Sequence, residues 1–252
     1  MSSFENILCS QPAEFVSQIT LDRPRSFNAL DLRTLQELHA ALNEFESSAA
    51  RVLILTGEGR AFCFGADFLE FQHPERVPAM LESFQQLILR LYHCPRVTIA
   101  CLNGFATGAG LDLALACDLR TASDRARLSE AYVNMGLVCD GGGSFFLPRV
   151  AGTARALQML LMGDPISAAE AHSCGLVQFV CPPELLQEKT LGFATNLAAK
   201  PQKALLKIKQ LLKEDPAGSL EQALDREKQA QHECLQDPDH HAIVDRLLKK
   251  KS

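Results

Sequence analysis

The 252-residue sequence predicts an α/β fold in which a parallel sheet is flanked by helices and followed by a helical C-terminal portion. Three observations support this prediction. Compact apolar runs at 51–56 and 97–102 lack polar alternation, which is typical of strands buried on both faces. Segments with apolar residues at helical spacing alternate with these runs. The resulting β-α-β-α order implies right-handed crossovers and a parallel sheet.

The elements follow from the local patterns, taken in chain order. Residues 15–21 alternate as a half-buried strand, and residues 32–45 have the apolar spacing of a helix. Helices are also predicted near 77–92 and 110–116. Ser167 and Glu170 have the spacing of a capping box at a helix start. From Thr153 onwards the pattern is almost wholly helical, with further helices at 184–199, 203–213 and 220–236. We therefore expect an α/β core at 1–190 and a helical region at 191–252.

Composition restricts the functional class. The net charge of −5 disfavours nucleic acid or an anionic membrane as the main partner. The nine cysteines form no C-x-x-C pair, the histidines lack metal-ligand spacing, and no apolar stretch reaches membrane-spanning length. The N-terminus resembles neither a signal peptide nor a transit peptide. We therefore expect a protein with reduced cysteines, no metal and a cytoplasmic location.

Two glycine-rich turns are the first candidates for a functional site. They lie at 59–67 and 103–110, and each follows a predicted buried strand. Ligands of open α/β sheets bind at the carboxyl ends of strands. Small residues let the backbone approach a ligand, and the helix that begins in the second turn offers unpaired N–H groups. Either turn alone is better explained as a tight turn that has no function.

The two turns belong to a longer series of motifs in a fixed order. The series comprises Arg23-Pro24-Arg25-Ser26-Phe27-Asn28-Ala29-Leu30, the two turns, Leu113-Ala114-Leu115-Ala116-Cys117-Asp118, Gly136-Leu137-Val138-Cys139-Asp140-Gly141-Gly142-Gly143, Leu147-Pro148-Arg149 and Gly175-Leu176-Val177. With these motifs the chain resembles the enoyl-CoA hydratase/isomerase (crotonase) superfamily over essentially its whole length. It looks nearest to the dienoyl-CoA isomerases and the ring-opening isomerase of phenylacetate degradation.

The resemblance implies a fold, an assembly and a thioester site. The fold would be a ClpP/crotonase-type core of repeated β-β-α units, with a C-terminal helical region that forms a homotrimer or hexamer. Backbone N–H groups of Phe64 and Ala109 would hold the thioester oxygen. The CoA moiety, as part of the substrate rather than a separate cofactor, would lie along six residues. These are Arg25, Ser26 and Phe27, with Ala66, Asp67 and Phe68 towards the adenine.

One departure from the family pattern affects the expected substrate. The family usually has alanine where this chain has Phe64, so a bulky ring should reshape the acyl pocket. The stretch 62–67 is also similar to that of family members that act on carrier-protein thioesters. Both acyl-CoA and acyl-carrier-protein substrates therefore stay open.

The expected acid and base groups differ from those of the hydratases. The two positions that match the hydratase glutamates are Asp112 and Tyr132. A tyrosine is a poor base near neutral pH, because its pKa is near 10. Water addition by two carboxylates is therefore in doubt. Tyr132 is expected to be a pocket wall or a hydroxyl donor, whereas Asp112 is either a second acid/base or a buried structural carboxylate.

A different carboxylate, Asp140, matches the aspartate that moves the proton in the isomerases. A carboxylate in an apolar pocket can remove a proton from one carbon and return it to another. The alternative role for Asp140 is a helix N-cap. Glu130 is a weaker candidate, because it shares a face with Tyr132 only if its strand continues. We expect an enoyl-CoA isomerase, with a hydratase or dehydratase based on Asp112 and Asp140, or a non-catalytic thioester-binding homologue, as alternatives.

Overall fold

The computed structural model describes residues 4–73, 75–213, 220–240 and 242–243. The strands of this part of the chain are β1 (Ile7–Ala13), β2 (Val16–Leu21), β3 (Val52–Gly57), β4 (Ala61–Cys63), β5 (Val97–Leu102), β6 (Phe105–Thr107), β7 (Leu119–Ser123), β8 (Arg127–Ser129), β9 (Ile166–Ser167) and β10 (Phe179–Cys181). The helices are α1 (Leu32–Ser47), α2 (Val77–Tyr92), α3 (Ala109–Ala116), α4 (Gly143–Ala151), α5 (Thr153–Met162), α6 (Ala168–Ser173), α7 (Pro183–Ala198), α8 (Gln202–Lys213) and α9 (Leu220–Leu235). Short 3₁₀ turns occupy Pro24–Ser26, Phe68–Gln72 and Ala131–Met135.

The strands form two sheets. The larger sheet has the order β1-β2-β3-β5-β7-β10, and each neighbouring pair in it is parallel except β1 with β2. The smaller sheet has the order β4-β6-β8-β9, and only its β8–β9 pair is antiparallel. Strands β4, β6 and β8 each follow a strand of the larger sheet after a short turn. This arrangement confirms the α/β fold of repeated β-β-α units.

The buried elements explain why the sequence patterns were informative. Every residue of β3 and β5 is buried, as expected for central parallel strands covered on both faces. Every residue of α3 is also buried, including the acidic residue Asp112. The capping box at Ser167 and Glu170 is present at the start of α6. All nine cysteines are free, and five of them are buried.

The chain divides into two compact units between Thr195 and Asn196. Both sheets lie in the first unit, and α8 and α9 lie in the second. In the described residues, no helix is both long and apolar enough to cross a membrane. The expectation of an almost wholly helical chain after Thr153 is wrong at two places, because β9 and β10 extend the edges of the sheets. Strands of two or three residues are too short to carry a periodic signal.

A buried asparagine joins the first motif to the turn after β3. The Asn28 side chain accepts a hydrogen bond from the Arg23 N–H (2.9 Å) and donates to the carbonyl oxygens of Glu58 (2.9 Å) and Ala61 (2.7 Å). Its backbone has a φ of 59°, in the left-handed region that asparagine tolerates better than most residues. Only 1% of Asn28 is exposed. These bonds hold the first turn of the site against the end of β3.

Replacing Asn28 with alanine should therefore destabilise the protein. The change removes the side-chain partner of the Arg23 N–H and of the Glu58 carbonyl oxygen, and one of the two side-chain donors to the Ala61 carbonyl oxygen, the other being Asn103. It also places alanine in a left-handed conformation, so we expect a loss of about 2–4 kcal/mol in the free energy of unfolding. Urea denaturation measures this loss. Asn196→Ala, at an exposed position of α7, is the matched control and should change stability by no more than about 0.5 kcal/mol. Equal losses in the two variants would contradict the role of Asn28.

Candidate active site

A mostly apolar cavity of about 340 Å³ lies beside the two glycine-rich turns. Helix α2 and the segment from Ala131 to Asp140 form its other walls. Its described lining consists of Leu30, Leu35, Phe64, Gly65, Ala66, Phe68, Val77, Met80, Leu81, Phe84, Thr107, Gly108, Ala109, Ala131, Tyr132, Met135, Leu137, Val138 and Asp140. Asp140 is the one carboxyl side chain among these residues. The cavity has the character of a site for a largely apolar ligand, with few polar groups in its wall.

The first turn places two N–H groups in different environments. The Phe64 N–H donates to the Phe27 carbonyl oxygen at 3.1 Å. The structure therefore corrects the assignment of Phe64 as an oxyanion donor, because this N–H is already used. Leu30 and Ala66 form a parallel bridge in which the Leu30 N–H donates to Gly65 and its carbonyl accepts from Asp67, both at 2.8 Å. That pattern leaves the Ala66 N–H directed away from Leu30.

The second turn supplies another unpaired donor. Gly108 has a φ of 52°, and its N–H donates to the Ser129 carbonyl oxygen at 2.8 Å. Ala109 is the first residue of α3, so its N–H has no acceptor within the helix. A Cβ at Gly65 would lie 2.9 Å from the Thr107 oxygen and 3.7 Å from the Ala109 nitrogen. The two turns thus pack against each other, with Gly65 beside Thr107 and Ala109.

Three predicted residues meet at the inner wall of the cavity. The Tyr132 hydroxyl oxygen lies 2.7 Å from Asp112 Oδ2 and 2.8 Å from Asp140 Oδ1. Asp112 comes from α3, Tyr132 from the 3₁₀ turn after β8, and Asp140 from the loop before α4. Burial is the main reason that the pKa of Tyr132 lies far above its usual value, with both carboxyl groups adding to the shift. Tyr132 is therefore a neutral hydroxyl, which agrees with its expected role as a donor.

Asp112 does not reach the cavity. Its side chain is fully buried behind Tyr132, and its Oδ2 also accepts from the Gly141 N–H at 3.1 Å. Burial raises the pKa of Asp112 to about 7, and the nearby Asp140 adds to the increase. Hydrogen bonding with Tyr132 and with the backbone of Gly141 and Gly143 opposes it. Of the two roles open for Asp112, proton transfer with a substrate as a second acid/base is the one that this position disfavours.

Asp140 reaches the cavity, and the structure excludes the alternative role that its sequence position suggested. Helix α4 has Gly142 as its N-cap residue, and no side chain caps it. The Asp140 backbone is held by a hydrogen bond from Gln85 Nε2 to its carbonyl oxygen (3.1 Å). Burial raises the pKa of Asp140, and the hydrogen bond from Tyr132 opposes that increase. Asp140 thus places a carboxyl group at the wall of an apolar cavity, where contacts with Tyr132 and Gln85 position it.

Glu130, the weaker candidate for an acid or base, is a buried carboxyl group beside Asp112. Strand β8 ends at Ser129, so the alternation argument does not apply to Glu130. Glu130 is fully buried, and no described residue donates a hydrogen bond to either of its carboxyl oxygens. A Cβ at Gly143 would lie 2.9 Å from Asp112 Oδ1 and 3.0 Å from Glu130 Oε1, so the two acids border the same glycine. Burial, with the charges of Asp112 and Asp140, raises the pKa of Glu130 well above its usual value.

The residues expected to contact CoA lie at the first turn. Arg25 and Ser26 belong to an exposed 3₁₀ turn, and the Phe27 ring centroid lies 5.8 Å from that of Phe64. Asp67 is mostly buried, forms an ion pair with Arg23 (2.9 Å), and caps the next 3₁₀ turn. It therefore has a structural role in holding this turn. In the part of the chain described, no cluster of three or more His, Cys, Asp or Glu side chains is arranged to hold a metal ion.

Comparison with known proteins decides the family. The model for the enoyl-CoA hydratase/isomerase family matches residues 12–251. The chain belongs to this family. This enoyl-CoA hydratase/isomerase family member is 36% identical over 243 residues to a probable enoyl-CoA hydratase of Rhodobacter capsulatus, covering 95% of this chain and 93% of the relative. It is 34% identical over 244 residues to the 1,2-epoxyphenylacetyl-CoA isomerase of Escherichia coli, covering 94% and 93%.

Solved structures show the same fold. The crystal structure of an enoyl-CoA hydratase from Bacillus anthracis superposes with a TM-score of 0.94 at 33% identity, covering 98% of this chain and 97% of that one. The crotonase fold of this family member is thereby established. The names of the relatives include both hydratases and an isomerase. Family membership alone therefore leaves the reaction to be argued from the site.

Glu130→Gln tests whether the buried carboxyl group is neutral. Because the pKa of Glu130 is raised in the folded protein, its contribution to stability is complete below the unfolded pKa of about 4.3 and is lost as the pH rises towards the folded value. The stability of the variant relative to wild type should increase with pH, by up to about 1.4 kcal/mol per unit. Urea denaturation at several pH values measures the trend, with Glu14→Gln at an exposed turn as the surface control. A difference independent of pH would contradict a neutral Glu130.

Proposed function

We propose that the protein is an enoyl-CoA isomerase that moves a carbon–carbon double bond of an acyl thioester. The observation that carries the proposal is that Asp140 is the one carboxyl group among the described residues that line the cavity. Double-bond migration needs a proton to be removed from one carbon and returned to another, and a single carboxylate can do both. Water addition in the two-carboxylate form needs a second acid at the cavity. Tyr132 occupies that position here, and Asp112 lies behind it.

The N–H groups of Ala66 and Ala109 are proposed to hold the thioester oxygen. When Asp140 takes the proton, the C–H electron pair moves towards the thioester carbonyl, and negative charge develops on its oxygen. The proton then returns from Asp140 to the other carbon, so neither atoms nor charge are gained in the cycle. Two fixed donors in an apolar cavity stabilise this enolate more than the neutral thioester, which lowers the barrier.

The substrate is proposed to be an acyl-CoA with its acyl chain in the apolar cavity. The relatives named above act on, or are named for, CoA thioesters, which favours CoA over a carrier protein. The exposed Arg25 is proposed to bind a phosphate of the CoA moiety. Phe64 is 39% exposed, and its ring lies between those of Phe27 and Phe105 at 5.8 Å from each. This aromatic group would border the acyl chain at the cavity wall.

The main alternative is a hydratase or dehydratase, which is favoured by the hydratase names of several relatives. Asp112 and Asp140 would then share the acid and base roles. A third possibility is a homologue that binds a thioester without converting it. All three predict binding of acyl-CoA, but each predicts a different product, so product analysis distinguishes them.

Asp140→Asn is the first variant to compare with wild type. Both proteins are given 3-enoyl-CoA and 2-enoyl-CoA of several lengths in heavy water, and the products are analysed by mass spectrometry. We expect wild type to shift the double bond with deuterium gained and no water added. Asp140→Asn should lower this rate by roughly 10²–10⁴-fold, because the amide cannot accept the proton.

Asp164→Asn, at an exposed aspartate, is the control and should behave like wild type. Addition of water to 2-enoyl-CoA that persists in Asp140→Asn would refute the isomerase and favour a hydratase based on Asp112. Binding with no product in wild type would favour the non-catalytic homologue.

Ala109→Pro tests the proposed oxyanion donor. Ala109 is the first residue of α3, where proline is tolerated because the N–H is not used by the helix. The change should lower kcat by roughly 10²–10³-fold through loss of one donor, with little change in thermal stability. Ala109→Gly keeps the N–H and serves as the control. Equal activity in the proline and glycine variants would show that this N–H does not hold the oxygen.

A further inference from the structure

The hydrogen atoms around Tyr132 are too few for two ionised neighbours. The phenol has one hydrogen, so it can donate to Asp112 or to Asp140 but not to both. Yet its oxygen lies 2.7 Å from one carboxyl oxygen and 2.8 Å from the other, and both distances are those of hydrogen bonds. The second bond needs a hydrogen of its own, which only a carboxyl group can supply. At least one of the two aspartates is therefore a carboxylic acid in this arrangement.

The surroundings indicate which aspartate carries that hydrogen. Asp112 is fully buried, whereas Asp140 lies at the cavity wall. The titratable groups that face Asp112 are Tyr132, Asp140 and Glu130, and none of them is a cation. No lysine, arginine or histidine among the described residues forms an ion pair with Asp112, Asp140 or Glu130. A charge therefore costs more on Asp112 than on Asp140.

Two backbone contacts of Asp112, with Gly141 and Gly143, act in the opposite direction. The Gly141 N–H also reaches Asp112 Oδ2, at 3.1 Å, and a donor at that oxygen favours the ionised form. This distance is near the long end of the N–H···O range. The oxygen of a carboxylic acid also keeps a lone pair for such a donor. The Gly141 contact is therefore compatible with a neutral Asp112.

We propose that Asp112 and Tyr132 are positioning residues for the isomerase, in which a neutral Asp112 donates to Tyr132 and Tyr132 donates to an ionised Asp140. This inference rests on the proposed function. Since the Tyr132 hydrogen occupies Oδ1 of Asp140, a proton taken from the substrate binds the other oxygen, Oδ2. Both hydrogen bonds remain when Asp140 is protonated and when it gives the proton back. The Asp140 carboxyl group is thus held in one orientation throughout the cycle.

The direct test of this hydrogen-bond chain does not require activity. The infrared difference spectrum between wild type and Asp112→Asn is recorded at a pH below 7, because burial raises the pKa of Asp112 to about 7. We expect the variant to lose a band of a neutral carboxyl group, since Glu130 contributes equally to both proteins. Loss of an ionised carboxylate band instead would overturn the proposal, whatever reaction the protein catalyses.

The pH dependence of isomerisation gives the functional test. With its amide nitrogen in the place of Oδ2, asparagine at 112 can still donate to Tyr132, although that nitrogen cannot accept from Gly141. Because the hydrogen bond to Tyr132 is kept, Asp112→Asn should keep activity within about tenfold of wild type. Above pH 7, wild type should lose activity as Asp112 ionises and its hydrogen bond to Tyr132 is lost. Asp112→Asn has no group to ionise there, so it should lack this decline. If Asp112→Asn is as inactive as Asp140→Asn, Asp112 is a catalytic acid or base, and the proposal is overturned.

Tyr132→Phe removes the central hydroxyl. We expect kcat to fall roughly tenfold to a hundredfold, because the Asp140 carboxyl group is no longer oriented. The acidic limb of the profile should move to higher pH, because a hydrogen bond that lowers the pKa of Asp140 is lost. Tyr92→Phe, at the other tyrosine of the chain, is the matched control and should keep the wild-type profile. A Tyr132→Phe profile identical to that of wild type would also overturn the proposal.

Discussion

One phenolic hydrogen lies between two carboxyl groups at the inner wall of the cavity, and the local structure is built to allow it. Tyr132, Asp112 and Asp140 come from three different elements, and the Tyr132 hydroxyl oxygen lies within 2.8 Å of a carboxyl oxygen of each aspartate. The glycines that follow Asp140 make this approach possible. A Cβ at Gly141 would lie 2.5 Å from Phe84 Cε1 and 2.7 Å from the Asp112 Cβ. Any larger residue there would push the loop away from α3 and separate the two aspartates.

The same constraint explains the division of roles in the site. A buried carboxyl group without a cation is stable only when it is neutral or well supplied with donors. Glu130 has neither a cation nor a described donor, whereas Asp112 has Tyr132 and Gly141 as neighbours. Asp140 is the member of the group that reaches the cavity. Of the three carboxyl groups, Asp140 is therefore the one on which a negative charge is most favourable, and it is also the one that lines the cavity.

The two glycine-rich turns complete the site from the opposite side. Each turn follows a strand of the larger sheet and contains a short strand of the smaller one, β4 or β6. Pairing of these strands fixes the backbone on both sides of each turn. Asn28 adds side-chain bonds that hold the first motif against the end of β3. The N–H groups of Ala66 and Ala109 are consequently fixed before any ligand binds, as electrostatic stabilisation of an enolate requires.

Much of this could be predicted from the sequence, and the exceptions have physical causes. Helix α2 and strand β5 begin and end where their apolar patterns predicted. Short strands such as β9 were missed, because two residues show no period. The donor at the first turn was misplaced at Phe64, since the sequence does not show which N–H the Phe27 carbonyl uses.

The place of Glu130 in the fold depended on where β8 ends, and the end of a short strand is not visible in the sequence. Asp112 and Tyr132 were recognised as part of the site. Their order, with Tyr132 between the two aspartates, follows only from the folded arrangement.

A crystal structure with a bound saturated acyl-CoA, which cannot isomerise, would test the arrangement most directly. The thioester oxygen should lie about 2.7–3.1 Å from the nitrogens of both Ala66 and Ala109, with the Asp140 carboxyl group as the nearest acid to the carbon beside the thioester. A thioester oxygen bound elsewhere, or Asp112 exposed as the nearest acid, would contradict an enolate held by these two N–H groups and served by Asp140.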